Sequence, residues 1–177
     1  MKLSVMATMA AVLALTMQAT SAPLRIVSSL DLNRYLGKWH EVARLPNRFQ
    51  KQCVSDVVAE YGLRTDGRID VLNTCRTGDG TTDEARGIAR KAGDGSNNAV
   101  LQVRFAPAIL SFLPMVWGDY WVIGLGPDYS WAVVGTPNRQ FLWILSRTPT
   151  LSDAAYEQAI EVARGNGFDV IRVIRSR

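Results

Sequence analysis

The sequence predicts an all-β fold: an eight-stranded antiparallel up-and-down β-barrel with one α-helix packed outside it, late in the chain. Three observations carry that prediction. After residue 35, short segments alternate apolar and polar residues at period two. Turn signals such as Arg64-Thr65-Asp66-Gly67, Gly124 to Tyr129 and Thr136-Pro137-Asn138-Arg139 separate them. Only one stretch, near the end, has a helical period.

The strands are expected at about 37–45, 53–62, 68–75, 82–92, 99–106, 118–125, 130–136 and 141–147. Leu101-Gln102-Val103-Arg104-Phe105 alternates most cleanly. Short sequential connections suit an up-and-down barrel or a sandwich. A membrane barrel would need an apolar exterior with aromatic girdles. Arg86, Arg90 and Arg104 at alternating positions are read instead as a water-facing exterior. In the helix, Thr150-Leu151-Ser152-Asp153 fits a capping box with Thr150 as N-cap. Ala155, Ala159 and Val162 form one stripe, with Tyr156, Ile160 and Ala163 beside it, and Gly165 is the expected stop.

Composition narrows the function classes. The chain has 177 residues, the size of one domain, and is 47% hydrophobic, which excludes a disordered chain. Its 20 basic and 16 acidic residues leave +4, with no concentrated basic patch, so no nucleic-acid partner is expected. One His argues against a His-rich metal site or a His-based catalytic site, and neither metal nor cofactor is expected. Five Trp point to large apolar surfaces with polar edges.

Residues 1–22 read as a secretory signal peptide: Met1-Lys2, an apolar run from Leu3 to Met17, then the small residues Ala19 to Ala22. Residues 23–177 form the mature domain. An exported protein is expected, periplasmic or secreted, associated with an outer membrane at most without a lipid anchor, because no Cys lies near the leader. In such a compartment the pair Cys53 and Cys75 reads as a disulfide, against two free buried thiols. Cys53 lies about three residues farther from the hairpin turn than Cys75, so the bridge requires a bulge or a loop bend.

Three segments carry a resemblance. Asn33 to Arg44 contains Gly37-Lys38-Trp39, Gly118 to Ile123 contains Asp119-Tyr120, and Leu142 to Pro149 contains Arg147. In order and at barrel spacing, they resemble the Gly-x-Trp, Asp-Tyr and late-Arg regions of the lipocalins. Tyr35 to Phe49 and Gly118 to Ser152 look like the bacterial lipocalins of the outer-membrane-lipoprotein type, kin of apolipoprotein D in the calycin superfamily. Trp39 can plug the narrow end of such a barrel. Arg147, leaving the last strand next to the first, can lie on the indole face and cap carbonyls. Gly37, Trp39 and Arg147 are therefore assigned to the barrel base.

By the same resemblance, Tyr61, Asn73, Phe105, Tyr120, Trp143 and Leu145 match positions that line the family's ligand pocket. Parity adds Phe141, Leu101, Val103, Ile69, Val71 and Val122 to the inward faces. An aromatic, apolar cup of this kind suits a fatty acid, lysophospholipid or sterol-like guest; the alternative is that these side chains fill the barrel as core. The connection Pro107 to Trp117 is long, almost uncharged and broken by prolines. Phe112, Leu113 and Trp117 are expected to form an apolar lip that contacts membrane, or else a lid.

The leading expectation is a lipid-carrying or lipid-storing binding protein, monomeric or weakly dimeric, acting in envelope maintenance or stress. A partner-binding module using 107–117 is the alternative. An enzyme is not expected, since no nucleophile elbow, phosphate loop or metal-spaced cluster occurs and His40 has the outward parity.

Overall fold

The computed structural model describes residues 22–93 and 97–177. The predicted leader falls on residues outside that range, Ala22 excepted. After a one-turn helix, α1 (Leu32–Tyr35), come the strands β1 (Gly37–Arg44), β2 (Cys53–Leu63), β3 (Ile69–Thr77), β4 (Thr82–Lys91), β5 (Val100–Arg104), β6 (Gly118–Leu125), β7 (Trp131–Gly135) and β8 (Leu142–Ser146). The helix α2 (Asp153–Gly165) and a two-residue strand, β9 (Ile174–Arg175), follow.

Every consecutive pair from β1 to β8 is antiparallel, and β8 returns to β1, so the eight strands close. The expected strands stand within one or two residues of their predicted limits. The ninth strand is new: it pairs with Ala43 and Arg44 of β1. A two-residue strand has no periodicity to read, so the sequence carries no signal for it.

Two apolar cores result. One lies inside the lower barrel around Tyr35, Trp39, Tyr61, Val122, Val134 and Leu145. The other lies between the outer faces of β1, β6, β7 and β8 and the inner stripe of α2, with Ala159, Ile160 and Ala163 buried. Helix and sheet approach closely at Gly124, where a Cβ would sit 2.7 Å from Val162. The helix starts two residues later than expected. Ser152, not Thr150, is the N-cap, its Oγ accepting from the Ala155 amide, while the Thr150 carbonyl is taken by Thr148.

The Cys53–Cys75 disulfide is formed, with the Cα atoms 5.5 Å apart. The required irregularity is present: the β2–β3 register shifts between Cys53 and Ser55 and again between Ser55 and Val58, with Asp56 at φ 52°.

The water-facing reading fails for Arg104. It alternates with inward Val103 and so lies on the outer face, yet it is 3% exposed. Trp117 covers it, its ring 5.3 Å from the Arg104 guanidinium carbon and 3.8 Å from that of Arg90. Arg104 also donates to the Ala106 carbonyl at 2.6 Å.

Candidate ligand cavity

The base of the barrel is sealed by residues from three separate stretches. Trp39 is fully buried, and its indole N–H donates to the Tyr35 carbonyl at 2.8 Å. The Arg147 guanidinium lies 3.8 Å from the indole centre and donates to the carbonyls of Leu36, Lys38 and Arg34. Arg34 lies in α1, Leu36 caps it and Lys38 belongs to β1, so one guanidinium ties the end of the helix to the start of the first strand. Gly37, at φ +87°, makes the turn from α1 into β1 beneath that guanidinium.

Above the base is a cavity of about 740 Å³, open at the other end. All six residues proposed as pocket lining reach it: Tyr61, Asn73, Phe105, Tyr120, Trp143 and Leu145. The inward parity of β3, β5 and β8 likewise holds for Ile69, Val71, Leu101, Val103 and Phe141. Phe105 packs where β4 has no side chain: a Cβ on Gly87 would come within 2.8 Å of its ring.

The polar groups of the cavity are unevenly satisfied. At its floor the Tyr120 hydroxyl bonds the hydroxyls of Tyr35 and Tyr61, at 2.7 and 2.9 Å. Three hydroxyl protons serve two bonds, so one proton remains to be donated to a guest or a water. Burial pushes all three phenols up, Tyr61 to about 12 and the others well above their ordinary value, so the trio is neutral and offers hydrogen bonds rather than charge. Higher on the wall the Asn73 Oδ1 is buried with no hydrogen-bond partner. It is an acceptor held in an apolar surround, where a missing bond is costly.

Two groups of the site escaped sequence reading. Tyr35 stands in the first motif without any pattern that places it in the pocket; its place in the trio depends on α1 folding under the barrel. Glu41, inward like Trp39, is 7% exposed at the cavity wall. Its carboxylate accepts from Arg44 at 2.7 Å, Gln50 at 2.6 Å and Ser176 at 2.5 Å. Gln50 in turn accepts from the Trp143 indole N–H at 2.9 Å and from Asn47 at 2.8 Å. The alternation of β1 shows that Glu41 faces in; its partners from 44, 50 and 176 leave no such trace.

The long connection divides into two parts. Ile109, Phe112 and Met115 are 79%, 76% and 86% exposed, and Leu113 is half-buried. Trp117 is not part of that exposed edge. It is 9% exposed, sandwiched against Arg90 and Arg104, and its indole N–H donates to the Ser111 carbonyl at 2.9 Å, which folds the loop back over β5. His40 is kept off the cavity as its parity implied; burial, with help from Lys38, lowers its pKa. Among the described residues no cluster of three or more His, Cys, Asp or Glu is placed to hold a metal ion.

A family model described as a lipocalin-like domain matches residues 30–177. Temperature-induced lipocalin-1 of Arabidopsis thaliana is 40% identical over 151 residues, covering 85% of this chain and 80% of that protein. Outer membrane lipoprotein Blc of Vibrio cholerae is 42% identical over 150 residues, covering 84% and 82%. Apolipoprotein D of Mus musculus is 30% identical over 154 residues, covering 82% and 75%. Among solved structures, insecticyanin of the tobacco hornworm Manduca sexta superposes with a TM-score of 0.65 at 22% identity, covering 89% of this chain and 86% of its own, a likeness of fold. The closed barrel, the Trp39–Arg147 base and the family match from residue 30 onward agree: the chain belongs to the lipocalin family.

Proposed function

We propose that this lipocalin is an exported carrier or store of single-chain lipids, fatty acids or lysophospholipids, and not an enzyme. The family binds small hydrophobic ligands. The observation that carries the finer reading is the cavity itself. Its volume of about 740 Å³ falls within the ~300–1,000 Å³ of ordinary ligand sites. Its deeper walls are mostly aliphatic and aromatic, with a neutral donor set at the floor and an amide oxygen without a partner above it, while Arg48, Gln52, Asp83 and Asp119 add charged and polar groups to the lining. A lipid tail fits such walls; an ester or acid carbonyl can accept from the trio, and a hydroxyl or acid proton can be donated to the Asn73 Oδ1. The leader-like start favours export, to a periplasm or outside the cell, in envelope upkeep or stress. The exposed Ile109, Phe112 and Met115, with Leu113 beside them, favour a lip that touches a membrane at the open end.

Native mass spectrometry of the protein as purified, followed by lipid extraction, tests the reading. Acyl lipids are expected at up to one per barrel. Protein that carries none, and takes none up from mixed fatty acids and lysolipids, is not a lipid carrier.

A further inference from the structure

The ladder of the barrel wall is interrupted above the base at two places: β4 pairs with β5 only from Ile88 to Lys91, and a seam opens between β1 and β2. β1 and β2 pair only near the base, from Gly37–Tyr61 to His40–Val58. Above that level β1 has an irregularity between Glu41 and Ala43, and β2 bulges between Cys53 and Val58. No ladder joins the two strands there. The gap is filled by residues 174–177: β9 pairs with Ala43 and Arg44, the Ser176 amide donates to the Val42 carbonyl at 3.0 Å, and the Asp56 amide donates to the Arg177 carbonyl at 2.7 Å.

A second, smaller hollow of about 260 Å³ lies on the outside of this seam, lined by residues 174–177, Arg44 and the first residues of β2. It shares Cys53 and Val57 with the ligand cavity, so the two spaces stand back to back. The inner side of the same partition is Glu41, which Ser176 holds. We propose that residues 174–177 are a gate in the side wall of the barrel, whose displacement joins the two hollows and gives the guest a lateral path beside the open end. The path rests on the cavity reading above.

Three features suit these residues to move. Ile174, Arg175 and Arg177 are exposed, and the side-chain anchors of Arg175 are an ion pair to Asp153 at 3.5 Å and the Tyr156 ring, on the exterior. Segments with so little burial open at low free energy. Opening also strands no buried charge, because Glu41 keeps Arg44 and Gln50 when Ser176 leaves. Finally, Cys53 ties the bulged start of β2 to β3, so one side of the gap stays in place while the segment between the strands shifts.

The gate is tested by stopped-flow uptake and release of anilinonaphthalene sulfonate, an amphiphilic anionic dye, with cis-parinaric acid as the lipid probe. The variants are a chain ending at Val173 and Ser176→Pro, which removes both the amide donor to Val42 and the hydroxyl to Glu41; Ser176→Ala serves where either fails to fold. Removing a gate raises the association and dissociation rates together, severalfold, with Kd little changed. A rise in dissociation alone means weakened cavity contacts and overturns the gate, as do unchanged rates. Wild-type protein that exchanges the dye but not the fatty acid defeats the lipid reading and leaves the gate supported or refuted by the dye rates. Wild-type protein that takes up neither removes the cavity reading and the gate with it.

Discussion

The two ends of the barrel are built in opposite ways. At the base, a fully buried indole, a guanidinium on its face and three capped carbonyls leave little unsatisfied. At the mouth, large apolar side chains face solvent, β1 and β2 part, and a disulfide supplies the fixity that packing supplies below. Under the proposed carrier reading, stability and exchange are assigned to different ends. The base needs no freedom, because nothing passes through it. On the proposed carrier reading the mouth admits the guest, and its large apolar side chains stand exposed there.

Substitutions should separate the ends by stability. Trp39→Ala empties the plug and should cost about 3–5 kcal/mol in denaturant unfolding, as large buried aromatics do. Cys53→Ser with Cys75→Ser removes the closure of a 22-residue separation at the mouth and should cost about 3 kcal/mol on the chain-entropy view, measured without reductant. Arg147→Met keeps much of the contact with the indole but loses the cation and the caps, for about 2 kcal/mol.

Alkaline titration sharpens the same comparison. The buried tyrosines hold their protons more tightly folded than unfolded, so the folded state binds more protons above pH 10. Stability should therefore be level up to about pH 10, the ordinary tyrosine value, and fall as pH rises toward the folded value of about 12 for Tyr61. Phenolate absorbance should show the trio ionising only as the barrel opens. The smallest stability effect is expected at the lip: Ile109→Ser, Phe112→Ser and Met115→Ser together should stay within about 0.5 kcal/mol per site, as exposed substitutions do, while weakening flotation with liposomes. Unchanged flotation would remove the membrane-contacting lip.

Much of this was legible in the chain. Period-two alternation located β1 to β8, and parity counted from Arg147 placed Leu145, Trp143 and Phe141 on the cavity wall. The stripe of α2 was readable because 3.6-residue spacing is a local property. What failed depended on contacts between distant segments. Arg104 reads as exposed because alternation reports which face a residue takes, not what later folds over that face. Trp117 reads as lip for the same reason, its partners being Arg90, Arg104 and the Ser111 carbonyl. The Glu41 network joins residues 41, 44, 50, 143 and 176, and no pattern within a strand links them. The N-cap moved from Thr150 to Ser152 because two hydroxyl residues two positions apart both offer a cap, and sequence alone does not choose between them.

The space above the sealed base is proposed to hold one apolar chain. Titration of the delipidated protein with palmitate, followed by tryptophan fluorescence, addresses it most directly. Saturable quenching at one chain per barrel is expected, with the greater part of the signal lost in Trp143→Phe while binding persists by calorimetry. An absence of saturable binding in the folded wild-type protein, or binding whose signal is indifferent to Trp143, would contradict that proposal.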